Sequence, residues 1–305
     1  IAVKDDRLDL SGDVTKIIIR QYSSGTDHTV VVYNISSATP SAEVTIDGSE
    51  VSGPDVVYNS LGEPWMVGSV VRFNTAGDVF IVGCHHNYTY GSANRGTGIL
   101  VFKHTTVGWA KIAYLSTLDH ASTTSLGLTN HDNWADINGS GDTIVAGLPE
   151  EPHEQVKVWK SPDLTPANDA PTWAEPVILT DTTNLKKAGS RFGYSVRIAK
   201  SVDRIMVAVL NAIDASIARG TVVYTFGKLT GFDLTGSGWV QHYYNYVPSL
   251  WTPNFQDNAG QIAQYFGSRL VVSGDGNYVI MSNEGAAHAT FEHTLYSFTI
   301  SNRIG

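Results

Sequence analysis

VRFNTAGDVFIVG, from Val71 to Gly83, decides the reading of this chain, because four further stretches superimpose on it without gaps. They are LDLSGDVTKIIIR from Leu8, ADINGSGDTIVAG from Ala135, VRIAKSVDRIMVA from Val196 and LVVSGDGNYVIMS from Leu270. In each, the second residue (Asp9, Arg72, Asp136, Arg197, Val271) stands eight positions before an apolar anchor (Ile17, Phe80, Ile144, Ile205, Val279). The anchors recur after 63, 64, 61 and 74 residues. Self-similarity at such an interval marks an array of supersecondary units.

Each unit reads as a short strand, a polar turn and a second, apolar strand. The turn column holds Asp78, Asp142, Asp203 and Asn277, residues that hydrogen-bond their own backbone and tolerate left-handed conformations. A third β-branched and aromatic run follows: TVVVY to Tyr33, GILVF to Phe102, QVKVW to Trp159, TVVYTF to Phe226 and TLYSF to Phe298. A fourth run is led by Trp109, Trp173 and Trp239, with AEVTI (Ala42 to Ile46) in the matching place of the first unit. Four strands per unit predict an all-β propeller, five-bladed, with four-stranded blades and an incomplete last blade. The blades span approximately 1–50, 66–115, 131–180, 190–245 and 264–305 of one domain. The fifth has no Trp-led run after TLYSF, so its outer strand is expected to be missing or supplied by a segment outside these residues.

Composition narrows the function. Charged residues are 16% and glycines number 29, which suits turn-rich β-structure. A net charge of −9 argues against non-specific nucleic-acid binding, which needs basic surface. No apolar run reaches the ~18 residues of a helical membrane span, and no signal peptide is visible. Cys84, the single cysteine, rules out an intrachain disulfide without deciding the compartment.

The fourth unit carries Phe192-Gly193-Tyr194-Ser195-Val196 and the fifth Phe266-Gly267-Ser268-Arg269-Leu270. The third has Ala146-Gly147-Leu148-Pro149, and the second Val82-Gly83, read as lying just after the second strand. Together these resemble FG-GAP repeats, the blade units of integrin-type propellers that also occur in bacterial, phage and viral surface proteins. The resemblance implies an extracellular or virion-surface location. It also implies calcium in the first hairpin of some blades. The candidate ligands are Asp136, Asn138, Ser140 and Asp142, oxygen donors at alternate positions. The later acidic ligand falls at Ile144, and an ordinary polar turn is the competing reading. The cofactor expectation is therefore none, with calcium as the exception.

Two constellations bear on chemistry. The alternating charges Asp9, Arg72, Asp136 and Arg197 read as a belt of ion pairs between neighbouring blades. The competing reading makes Asp9 and Asp136 the carboxylate pair of a glycoside hydrolase or lyase, which requires both exposed and unpaired with Arg. The second constellation is the uneven distribution of histidine. His28, His85, His86, His153, His288 and His293 are expected between second and third strands, and His120, His131 and His242 between fourth and first strands of successive blades. Only His104 falls on the opposite face. Tyr22, Trp65, Tyr88, Tyr90, Tyr243, Tyr244, Tyr246 and Trp251 join the histidine-rich face. Flat rings with polar tips suit a recognition surface. The ligand-binding candidates are His85, His86, Tyr88, Tyr90, His153, Tyr243, Tyr244, Trp251, His288 and His293. No HExxH, CxxC, GxSxG or Walker spacing exists. The expectation is a non-enzymatic binding or adhesion module for a glycan or a protein, within a larger assembly. A purely structural fibre or capsid-decoration subunit is the remaining alternative.

Overall fold

The computed structural model of the chain describes residues 7–22, 28–51, 65–86, 97–117, 134–149, 154–181, 192–213, 225–246, 266–283 and 294–300. These form five antiparallel sheets, each with its strands in chain order. Sheet I holds β1 (Leu8–Leu10), β2 (Lys16–Tyr22), β3 (His28–Asn34) and β4 (Ser41–Ile46). Sheet II holds β5 (Trp65–Phe73), β6 (Val79–His86), β7 (Thr97–Thr105) and β8 (Gly108–Ser116). Sheet III holds β9 (Ala135–Ile137), β10 (Thr143–Leu148), β11 (Gln155–Lys160) and β12 (Val177–Leu179). Sheet IV holds β13 (Phe192–Ile198), β14 (Arg204–Ile213), β15 (Thr225–Thr235) and β16 (Gly238–Tyr246). Sheet V has three described strands, β17 (Phe266–Val272), β18 (Tyr278–Asn283) and β19 (Thr294–Thr299). A single 3₁₀ turn, Gly48–Glu50, is capped by Asp47, whose carboxylate accepts the Ser49 N–H.

The gapless sequence alignment reappears as strand register. The third repeat residue lies opposite the anchor in four sheets: Leu10 with Ile17, Phe73 with Phe80, Ile198 with Ile205 and Val272 with Val279. The first residue lies opposite the twelfth: Leu8 with Ile19, Val71 with Val82, Val196 with Val207 and Leu270 with Met281. Because side chains alternate between faces, this register puts repeat positions 1, 3, 10 and 12 on one face and position 11 on the other.

The chain divides into two compact units, Ile1–Ile144 with Trp159–Pro176, and Val145–Val158 with Val177–Gly305. In the first, one apolar core joins sheets I and II: Ile18, Val30 and Val32 from one, Val71, Phe73, Phe80, Val82, Leu100 and Phe102 from the other. Phe80 is its hub. It stacks on Phe102 at 5.0 Å and meets Phe73 and Trp109 edge-on at 5.7 and 4.7 Å. In the second, Val145, Val156 and Val158 pack on Val196, Ile198, Ile205 and Val207. A further core sets Met206, Ala208 and Leu229 against Leu270, Val272, Val279 and Met281. Each contact uses position 11 of one sheet and positions 1, 3, 10 and 12 of the next.

The five turns between first and second strands, 11–15, 74–78, 138–142, 199–203 and 273–277, have equal length. Their hydrogen bonds repeat too. The fourth repeat residue donates its N–H to the ninth residue's carbonyl: Ser11 to Lys16, Asn74 to Val79, Asn138 to Thr143, Ala199 to Arg204 and Ser273 to Tyr278. Where that residue is Ser or Asn, its side-chain oxygen accepts the ninth residue's N–H. Position 7 is left-handed at Gly77 (φ 68), Gly141 (φ 83) and Gly276 (φ 71), and also at Val14 (φ 57). Successive turns are also tied to one another. Gly12 N–H donates to the Thr75 carbonyl, Thr75 N–H to Gly139, and Ser201 N–H to Gly274.

Three sequence expectations need correction. The third strand of sheet IV is β15, and Phe232, not Phe226, sits opposite the anchor Ile205, as Tyr33, Phe102 and Phe298 do opposite theirs. TVVYTF matched on composition alone, which does not fix register. Trp173 precedes β12 instead of opening it, because the prolines Pro171 and Pro176 flank it and cannot donate to a ladder. Gly83 and Gly147 lie inside β6 and β10 rather than after them. A Cβ on Gly147 would stand 1.8 Å from the Gly193 carbonyl oxygen, so these two glycines let the main chains of sheets III and IV touch.

Candidate functional site

The sheet topology separates two kinds of connection. Turns between first and second strands leave each sheet at one end. Connections between second and third strands, and onward to the next sheet, leave from the other. The former are the uniform hairpins described above. The latter comprise 23–27, 87–96, 149–154, 214–224 and 284–293, and 47–64, 117–134, 180–191 and 247–265.

Of the ten ligand-binding candidates, Tyr88, Tyr90, His153, Trp251, His288 and His293 lie outside the described residues. The other four are in strands. His85 and His86 end β6, opposite Met66 and Trp65. Tyr243 and Tyr244 lie within β16, opposite Gly231 and Thr230. His28 opens β3 opposite Tyr22, and His242 lies in β16. Their expected place in connections is therefore corrected: the ladders run on past the apolar stretch, since Tyr, Trp and His pair well across strands. His242 Nε2 comes within 3.6 Å of an Asp233 carboxylate oxygen, and Asp233 already accepts two bonds from Arg204 at 2.7 and 3.0 Å. His104 stands at the hairpin end, its ring edge-on to Trp109 at 5.0 Å.

The charged second column forms hydrogen bonds along the first strands. Asp9 accepts the Phe73 N–H at 2.7 Å, linking sheet I to sheet II, and Asp136 accepts the adjacent Ile137 N–H at 2.9 Å. Arg72 and Arg197 donate to the carbonyls of Val71 and Val196. Asp136 is only 2% exposed, which does not suit the glycosidase reading's need for an accessible acid.

The calcium candidate is a hairpin turn with its oxygens engaged. Asp142 accepts from Asn138 Nδ2, the Ser140 hydroxyl and the Thr143 hydroxyl, all at 2.8–2.9 Å. Asn138 Oδ1 accepts the Thr143 N–H. Partial burial alone would raise the Asp142 pKa, but these three donors outweigh it and hold the carboxyl below its ordinary range. Among the described residues no group of three or more His, Cys, Asp or Glu is placed to hold a metal ion.

Several buried charges went unremarked in the sequence, namely Arg20, Lys103, Glu154 and Lys157. A lone charge in an apolar strand reads as the solvent-facing member of an alternation. Lys103 shows why that fails. Its ammonium, 2% exposed, donates to the carbonyls of Pro166 and Asn168 at 3.1 and 2.6 Å and meets Asp169 at 3.3 Å. The charge fastens the segment between β11 and β12 onto β7.

No protein-family model matches the chain, and no curated protein matches it. Among solved structures it is similar to the β-propeller domain of the Trilobed protease from Pyrococcus furiosus, at 11% identity and a TM-score of 0.44, over 97% of this chain and 69% of that one. It is similar to TolB from Acinetobacter baumannii at 10% and 0.46, over 96% of this chain and 51% of that one. It is also similar to the periplasmic gluconolactonase of Pseudomonas aeruginosa at 10% and 0.36, over 96% and 88%. Identities this low say nothing about what the chain does.

Proposed function

We propose that the chain is a five-bladed propeller of the FG-GAP type, acting without catalysis as a binding or adhesion module on an extracellular or virion surface. Its ligand is a glycan or a protein, met by the end of the sheets opposite the uniform hairpins. One observation carries this reading. The turns at one end are equal in length and close their own hydrogen bonds, which suits scaffold. The connections at the other end vary in length and hold Tyr88, Tyr90, His153, Trp251, His288 and His293. Variable segments on a rigid scaffold are where recognition residues concentrate. The burial of Asp136 favours binding over the hydrolase alternative.

A glycan array and a cell-binding assay, run on the natural chain and on a variant with Tyr88, Tyr90 and Trp251 changed to Ala, test the assignment. Loss of at least about tenfold in affinity is expected if these rings stack on the ligand. Unaltered binding would remove them from the site.

A further inference from the structure

Every sheet contact described above joins the same two faces. Ile18, Val145 and Met206, each at repeat position 11, meet positions 1, 3, 10 and 12 of the following sheet. Two such faces remain. Sheet I carries Leu8, Leu10, Ile17 and Ile19 at positions 1, 3, 10 and 12, with Leu8 43% and Leu10 44% exposed. Sheet V carries Val271, Tyr278 and Ile280 at positions 2, 9 and 11, exposed by 58%, 58% and 45%. Val271 is opposite Ile280 in register, so these share a face. Position 11 in the four other sheets (Ile18, Ile81, Val145, Met206) is fully buried.

We propose that these two faces are halves of one further interface, sheet I of the same chain covering the free face of sheet V. Continuity with the repeated interface identifies the occupant, since sheet I presents an apolar residue at each of the four positions that cover position 11 elsewhere. Position 2 supports this. It is charged in sheets I to IV and apolar only at Val271, where the remaining face is formed. The hairpin ties continue the same way. Each turn donates an N–H to the fifth repeat residue's carbonyl in the next turn, so the turn at 273–277 is matched to the Gly12 carbonyl. The inference rests on the five-bladed reading but not on the binding role, so either survives failure of the other.

Thiol labelling separates the outcomes. Ile280→Cys and Leu10→Cys variants are exposed to a maleimide, with Val107→Cys, at a residue 93% exposed, as the reactive reference. Cys84 stays silent, because it is fully buried and burial pushes its thiol pKa up. Closure predicts labelling at 280 and 10 at least about tenfold slower than at 107, in a protein that sediments as a monomer, with protection independent of concentration and abolished by urea. Equal labelling rates overturn the inference. So does protection that appears only on self-association, which would assign the face to a second copy. Should either variant fail to fold, Tyr278→Cys and Leu8→Cys read the same two faces.

Discussion

Replacing Gly77 by alanine and Val14 by glycine changes the same turn position in opposite senses, and the two should move stability in opposite directions. Gly77 has φ 68, and a Cβ there would lie 2.5 Å from the Cβ of Ser11 in the preceding turn. The left-handed conformation costs an L-residue about 1–2 kcal/mol. Displacing Ser11, whose N–H and hydroxyl hold its own hairpin, adds about 1–2 kcal/mol of overpacking. Gly77→Ala is therefore expected to destabilise by roughly 2–4 kcal/mol. Val14 already carries the left-handed strain at φ 57 while 59% exposed. Glycine there relieves about 1–2 kcal/mol, and the extra freedom of the unfolded chain takes back ~0.5–1. A net gain of about 0.5–1 kcal/mol follows. Urea unfolding followed by tryptophan fluorescence measures both midpoints. Shifts of the same sign, or a Gly77→Ala loss below about 0.5 kcal/mol, would refute the equivalence of these turns.

Three other expectations follow from the same geometry. Lys103→Met leaves two carbonyls without their donor and should cost about 2–3 kcal/mol, with faster proteolysis between residues 161 and 176. Phe80→Ala empties the centre of the sheet I–II core and should cost about 3–5 kcal/mol in chemical denaturation, with Phe80→Leu costing less. Asp13 is held at a pKa of about 2, first by the Ser11 hydroxyl and then by the Thr15 N–H and hydroxyl. A carboxylate lowered in this way stabilises the fold above the ordinary carboxylate range, and that contribution is lost as pH falls through about 4 towards 2. Asp13→Asn should flatten the acid limb of a stability–pH profile in that window and leave its slope near neutrality unchanged.

The fold was legible because the repeat is a register. Asp9 to Ile17 and its four counterparts fix which residues face one another, and strand pairing preserves that spacing. What composition alone suggested was less secure. TVVYTF looked like a third strand as much as TFGKLTGFDLT did, and only pairing with Ile205 distinguishes them. Trp173 matched Trp109 and Trp239 in type, but neighbouring prolines removed the ladder donors. The candidate site was legible as a clustering of His and aromatic residues near the same ends of the strands. Its division into strand and connection was not, because residues such as Tyr243 are at home in either. Lys103 escaped notice because its three oxygen partners lie more than sixty residues away in sequence.

Small-angle scattering of the purified chain tests the central claim most directly. Five sheets joined face to face in a closed array of 305 residues predict a radius of gyration of about 19 Å and a distance distribution with one maximum. A clearly larger radius with two separated maxima would contradict the account.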